Sequence, residues 1–111
     1  MNKTLKFSPE LVPLVLSGEK DSTWRLWDDK DLKEGDVITL IKRPELVPFA
    51  TAELVSVVEK PIGQMTEEDK MGHEKFASDE EMYKIYTGYY KRTVDLETPI
   101  KIVRFKLIKK L

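Results

Sequence analysis

A switch from helical to extended periodicity occurs between Ser17 and Leu26, and it constrains the fold of the whole chain. Before it, apolar residues recur at helical spacing at Leu11, Val12, Val15 and Leu16. After it, polar and apolar residues alternate in the order Thr23, Trp24, Arg25, Leu26. Gly18 stands between the two patterns, and glycine adopts the left-handed conformation that ends many helices without steric cost. We therefore expect a helix that ends at Gly18 and a strand that begins near Ser22.

The alternation in this strand also predicts which side chains meet. Successive residues of a strand face opposite sides, so Thr23 and Arg25 share one face and Trp24 lies on the other. Lys20 lies in the connecting turn, close enough along the chain to reach both polar residues. We expect an ammonium group, a hydroxyl and a guanidinium to converge on one concave spot.

Charge and composition exclude several kinds of site. The chain has 19 Lys and Arg against 20 Asp and Glu, so any RNA binding must come from a local basic patch. Disulfides, thiolate metal sites and cysteine nucleophiles are excluded because the chain has no cysteine. A single histidine and scattered carboxylates do not have the spacing of a metal site, and we predict no metal and no cofactor.

The length of 111 residues predicts one domain, residues 1–111. No apolar signal core is visible at the N-terminus, and no apolar run approaches the roughly 18 residues that span a membrane. We expect a cytoplasmic protein without a membrane partner. A charged fraction of 35% with few side-chain amides is typical of hyperthermophile proteins and predicts a thermophilic source.

Further periodic segments predict the α+β class, with five or six strands closing into a small mixed barrel. Besides the strand near Ser22, the expected strands contain Leu5 and Phe7, Val37 to Lys42, Phe49 to Val58 with a bulge, and Ile100 to Leu107. Ser8 and Pro9 predict the start of the N-terminal helix. A helical insertion, Pro61 to Arg92, precedes the last strand.

Within the insertion, Ser78 and Glu81 have the spacing of a capping box. A stripe at helical spacing, which we expect to pack on the barrel, contains Met82, Ile85, Tyr86 and Tyr89. Tyr83 and Tyr90 lie off that stripe and are better candidates for contacting a ligand.

The pattern G-x-K-x-x-T-x-R resembles the signature of the ASCH domain, a group within the PUA-like β-barrel superfamily. The resemblance continues through the turn Glu34 to Asp36, the segment Gly72 to Phe76 and the closing strand Lys101 to Leu107. The resemblance implies a PUA-like barrel and an RNA-related function. Some members are expected to bind RNA, one bacterial branch hydrolyses the acetyl group from N4-acetylcytidine, and nuclease activity has been proposed for others.

For the acetylcytidine-hydrolysing branch, the resemblance implies the catalytic residues Lys20, Thr23 and Glu74. A threonine hydroxyl attacks only when an adjacent base takes its proton. Lys20 would be that base if burial or the charge of Arg25 lowered the pKa of its amine. Glu74 would protonate the departing cytosine amine, and His73 is the alternative occupant of the acid position.

Three functions remain open. A nucleoside hydrolase requires a closed pocket around the catalytic residues, whereas an RNA-binding module or a ribonuclease requires an open basic groove on the barrel. The candidate substrate or RNA contacts are Arg25, Trp27, His73, Lys101, Arg104, Lys109 and Lys110. A protein-interaction domain would instead expose an apolar patch near Tyr83, Tyr89 and Tyr90. The motif also has structural explanations, with Gly18 as a helix cap and Arg25 as an internal tie to an acidic residue.

Overall fold

A computed structural model describes residues 3–27, 30–73 and 75–111. The strands are β1 (Lys3–Phe7), β2 (Ser22–Arg25), β3 (Val37–Lys42), β4 (Val47–Pro61) and β5 (Pro99–Lys110). The helices are α1 (Val12–Ser17), α2 (Glu67–Lys70) and α3 (Asp79–Tyr90). The predicted α+β fold, with an N-terminal helix and a helical insertion before the last strand, is confirmed.

The five strands form one curled sheet, a half-barrel, in the order β1-β3-β4-β5-β2. β1 pairs with β3 in parallel, and the other neighbours are antiparallel. The edges of the sheet are therefore β1 and β2. A side chain bridges them, because Nη2 of Arg25 donates to the backbone oxygen of Lys6 at 2.9 Å. We call this region, around Lys6 and Arg25, the seam.

The long strand β4 carries the predicted bulge. Its register against β5 shifts between Thr51 and Ala52 and again between Leu54 and Ser56. Such irregularities increase the local twist and allow one strand to serve two parts of a curved sheet. One hydrophobic core, which includes Leu5, Leu40 and Phe105, fills the curl, and a second lies between the β2–β5 side of the sheet and α3.

Helix α1 ends as the sequence predicts. Gly18 has φ +87°, and its N–H donates to the oxygen of Val15 at 3.2 Å. The helical segment begins at Pro9 with Ser8 at its N-cap position, as predicted, but its first turn, Pro9–Leu11, is a 3-10 helix and α1 itself begins at Val12. Ser8 does not cap the turn through its side chain. Its hydroxyl instead accepts from Nη2 of Arg43 at 3.1 Å, a bond strengthened by the charge of the donor.

The stripe predicted for the core face of helix α3 is confirmed for Met82 and Tyr86 and is wrong for its other two residues. Met82 is buried, and Tyr83, Tyr86 and Tyr90 pack against the second core. Ile85 and Tyr89, which the stripe assigned to the core, are 46% and 58% exposed. The hydroxyl of Tyr90 accepts from the N–H of Leu26 at 3.2 Å, which helps fix the rotation of the helix.

The insertion also differs from the prediction in its caps and bounds. Ser78 accepts from the N–H of Glu81 at 3.1 Å, whereas the reciprocal capping box is formed by Thr66 and Asp69. Pro61 belongs to β4. Across the parts of the chain that the structure describes, no helix has the length and apolar character required to cross a membrane.

Candidate active site at the seam

A cavity of about 140 Å³ lies between the seam and α3. We call it the seam pocket. The barrel side of its lining consists of Lys6, Phe7, Ser8, Leu11, Lys20, Thr23, Trp24, Arg25 and Arg43. The insertion contributes His73, Ile85, Tyr86, Tyr89 and Tyr90. The structure therefore brings together Lys20, Thr23, Arg25 and His73, four of the residues predicted for the site.

Lys20 is held in the turn between α1 and β2 and is only 3% exposed. Its backbone N–H donates to the oxygen of Leu14 at 3.0 Å, because Gly18 reverses the chain at the end of the helix. Its Nζ donates to the oxygen of Ser22 at 2.8 Å. Burial of a lysine is expensive unless its ammonium group is hydrogen-bonded, so this fixed orientation marks the residue as more than a surface charge.

Thr23 and Arg25 are joined by a direct hydrogen bond. Nε of Arg25 donates to Oγ1 of Thr23 at 3.1 Å. The Arg25 guanidinium also reaches Lys6 across the seam and lies 5.3 Å from the ring centroid of Phe7. Arg25 is therefore an internal tie as well as a pocket residue. Since Oγ1 of Thr23 accepts from Arg25, the hydroxyl proton is left to be donated in another direction.

Gly72 attaches the insertion to the start of β2. Its oxygen accepts from the N–H groups of Asp21 and Ser22 at 3.1 and 3.2 Å. The next residue, His73, stacks on Trp24 with ring centroids 3.7 Å apart and an interplanar angle of 9°. This docking places the imidazole in the seam pocket. Glu74, the predicted acid, lies outside the described residues.

Arg43 is the pocket residue that the sequence interpretation missed. The parallel register sets Phe7 opposite Lys42, so Arg43 follows directly beside the end of β1, and its N–H donates to the oxygen of Phe7 at 2.9 Å. The guanidinium lies 5.7 Å from the ring centroid of Tyr89. The only local signal was an arginine immediately after a predicted strand, which does not reveal its neighbours.

The seam pocket is strongly positive. Its lining has four cationic side chains, Lys6, Lys20, Arg25 and Arg43, and no carboxylate among its described residues. The whole chain has a formal net charge of −1, so this is a local concentration of positive charge. Such a cleft raises the local concentration of anions.

Five of the predicted binding residues lie outside this lining. Trp27 follows the end of β2 with φ +50°, so strand alternation does not apply to it, and Arg92 lies 4.0 Å above its ring. Lys101 donates to the oxygen of Lys30 at 2.9 Å, and Arg104 donates to the oxygens of Met71 and Glu68. These two side chains hold loops against β5. Lys109 and Lys110 are exposed at the end of that strand.

A larger cavity, about 470 Å³, lies on the insertion side of Trp24. Its lining includes both Lys70 and Lys75 and both Glu67 and Asp79, so it lacks a single sign of charge. Among residues 3–27, 30–73 and 75–111, no three histidine or carboxylate side chains are grouped so that they could hold a metal ion. The seam pocket is the better candidate for an anionic ligand.

No protein-family model and no curated protein sequence matches this chain. Solved structures do resemble it, among them the following three. A DUF984 protein from Enterococcus faecalis V583 has 19% identity and a TM-score of 0.80, with 100% of this chain and 82% of that chain covered. An ASCH domain from Lactobacillus crispatus JV V101 has 16% identity and a TM-score of 0.66, with 86% and 68% covered. ASCH from Zymomonas mobilis has 16% identity and a TM-score of 0.65, with 97% and 71% covered. At these identities the comparison establishes the fold, and this chain has the fold of the ASCH domain proteins.

Proposed function

We propose that the seam pocket binds one nucleotide of an RNA or a modified nucleoside. The observation that carries this proposal is the combination of four cations with several aromatic rings around one small cavity. Proteins bind single-stranded nucleic acid by stacking bases on aromatic rings and by neutralising phosphates with lysine and arginine. The fold shared with ASCH domain proteins and the motif of Lys20, Thr23 and Arg25 support the same class of ligand.

The size of the cavity limits what enters it. Pockets that enclose a whole drug-sized ligand are about 300–1,000 Å³. The seam pocket is about 140 Å³, which favours a single ring system inside and the remainder of the ligand outside. A nucleobase with its sugar and phosphate towards solvent fits this description.

Tryptophan fluorescence tests binding directly. Trp24 lines the pocket and Trp27 does not, and they are the two tryptophans of the chain. In the variant Trp27→Phe, emission therefore comes from Trp24, which lines both the seam pocket and the larger cavity. We expect nucleosides, nucleotides or short single-stranded RNAs to change that emission in a saturable manner. If none of them binds at low salt, the proposal is wrong.

A pair of lysine variants distinguishes the seam pocket from the C-terminal groove. Lys6 lines the pocket, and Lys109 is exposed at the end of β5. Lys6→Gln should weaken RNA binding and reduce the slope of log affinity against log salt by about 1. Lys109→Gln should leave both unchanged. The reverse result would assign RNA binding to the strand carrying Lys101, Arg104, Lys109 and Lys110.

Hydrolysis of the acetyl amide of N4-acetylcytidine is the second candidate. The observation that favours it is that Lys20 and Thr23, both buried, line the same cavity. Thr23 would attack the acetyl carbonyl while Lys20 takes the hydroxyl proton. The C–N bond would break as Glu74 gives a proton to the cytosine amine, and water would then hydrolyse the acetyl ester to release acetate and restore Thr23.

Incubation of the protein with N4-acetylcytidine tests this reaction. We expect cytidine and acetate in equal amounts, measured by chromatography and by an acetate assay. Other acylated cytidines should be offered in parallel, because Trp24 and the tyrosines of α3 restrict the pocket. A protein that binds RNA but turns over none of these compounds is a binding module.

A further inference from the structure

The Arg43 side chain has more hydrogen-bond donors than the described residues accept from. A guanidinium carries five N–H donors. Nη2 donates to Oγ of Ser8 at 3.1 Å, while Nε is buried without an acceptor among the described residues. Among the described residues, no carboxylate forms an ion pair with the Arg43 guanidinium. The pocket thus holds an arginine whose charge is not compensated by a described side chain.

The position of this guanidinium is fixed before any ligand arrives. The backbone N–H of Arg43 donates to the oxygen of Phe7, its Nη2 donates to Ser8, and its guanidinium lies 5.7 Å from the centroid of the Tyr89 ring. A donor group held in place loses little conformational entropy when it binds a ligand. Because Tyr89 is 58% exposed, the pair of Arg43 and Tyr89 lies at the solvent side of the cavity.

Because Nε is buried, a ligand at the solvent side reaches the N–H groups of the two terminal nitrogens, and a phosphate oxygen is an acceptor that a guanidinium favours. The planar arrangement of its donors matches two oxygens of one phosphate group. One ring system would fill the cavity itself, so a phosphate would be bound at its solvent side, where Arg43 lies. The geometry and the charge of Arg43 therefore both favour a phosphate as its ligand.

We propose that Arg43 binds the phosphate of a nucleotide whose base occupies the seam pocket. This inference rests on the proposed function and narrows it. The ligand is a phosphorylated nucleoside, either a free nucleotide or a unit of RNA, rather than a free nucleoside.

The test compares ligands that differ by one phosphate. The probes are the four common nucleosides and N4-acetylcytidine, their 5′-monophosphates, and trinucleotides without a terminal phosphate. Binding is measured with Trp27→Phe as the parent protein. We expect the phosphate to tighten binding of the preferred base by about tenfold to a hundredfold. A trinucleotide that binds as tightly as the monophosphate identifies RNA as the source, and one that binds no better than the nucleoside identifies the free nucleotide.

Arg43→Gln should remove this gain and change the affinity for the nucleoside by less than about twofold. Arg92→Gln is the matched control, because Arg92 contacts Trp27 outside the pocket, and it is made in the protein that retains Trp27. Binding to Arg92→Gln and to the unmodified protein is measured by calorimetry. The Arg92→Gln control should retain the full gain in affinity from the phosphate. Thermal unfolding verifies that each variant is folded.

If Arg43→Gln does not fold, Arg43→Lys and Ser8→Ala take its place. Each should keep the affinity for the nucleoside and lose part of the gain from the phosphate. Equal binding of nucleoside and monophosphate by the parent protein, or an equal loss for both in the Arg43 variants, overturns the inference while leaving the proposed function intact. Absence of binding by all probes overturns both.

Discussion

Replacement of Gly72 by alanine tests how the insertion is positioned over the pocket. Gly72 has φ +79°, a conformation that L-residues rarely adopt, and it is in direct contact with the start of β2. A Cβ atom there would lie 1.8 Å from Oδ1 and 3.0 Å from Cγ of Asp21. The substitution therefore imposes two costs, a strained backbone and a displaced carboxylate.

The two costs have different sizes and different controls. Backbone strain at positive φ is about 1–2 kcal/mol, and the smaller entropy of an unfolded alanine offsets part of it. Gly35 measures this contribution alone, since it has φ +90° and nothing within 4 Å of the added Cβ. Displacement of the Asp21 side chain from its rotamer adds about 1 kcal/mol. We expect Gly72→Ala to lower the free energy of unfolding by about 2 kcal/mol and Gly35→Ala by about 1 kcal/mol.

Denaturant unfolding monitored by fluorescence measures these differences. Gly88→Ala is the opposite control, because this residue lies in α3 with open space at the Cβ position, and it should stabilise the protein by about 1 kcal/mol. The double variant Asp21→Ala and Gly72→Ala should recover the part of the loss that arises from the carboxylate. If Gly72→Ala is no more destabilising than Gly35→Ala and shows no coupling with Asp21, the close contact does not hold the insertion.

Three further predictions follow from the same structure. Thr23→Val should abolish turnover of N4-acetylcytidine while the fold and most of the binding are retained, and Lys20→Met should do the same by removing the base. Unchanged rates in a steady-state assay would exclude Thr23 as the nucleophile and Lys20 as the base. Gly18→Val should lower stability and ligand affinity together, as measured by thermal unfolding and fluorescence titration, because a β-branched residue is strained at φ +87°. The hydrogen bond from Lys60, at 2.8 Å, and that from the backbone of Thr66 hold the pKa of Asp69 below its ordinary value. The stability that this carboxylate adds is present above its ordinary pKa of about 3.9 and is lost as the pH falls through the lower folded value, so Lys60→Met should narrow the difference between urea midpoints at pH 7 and at acid pH.

Local patterns predicted a large part of the fold because each of them depends on residues close together in sequence. The strand beginning at Ser22 and the left-handed Gly18 follow from alternation and from the conformational freedom of glycine. The same local geometry places Thr23 and Arg25 in one cavity with Lys20. The resemblance carried by these residues then predicted the overall architecture.

Tertiary structure decided the features that depend on distant pairing. The parallel register of β1 and β3 sets Arg43 beside Ser8, and no local pattern encodes that register. The rotation of α3 depends on contacts with the barrel, which is why Tyr90 packs inward and Tyr89 faces the pocket. The sequence by itself determined the elements and the polar motif, whereas the charge and shape of the seam pocket arise only when the edges of the sheet and the insertion meet.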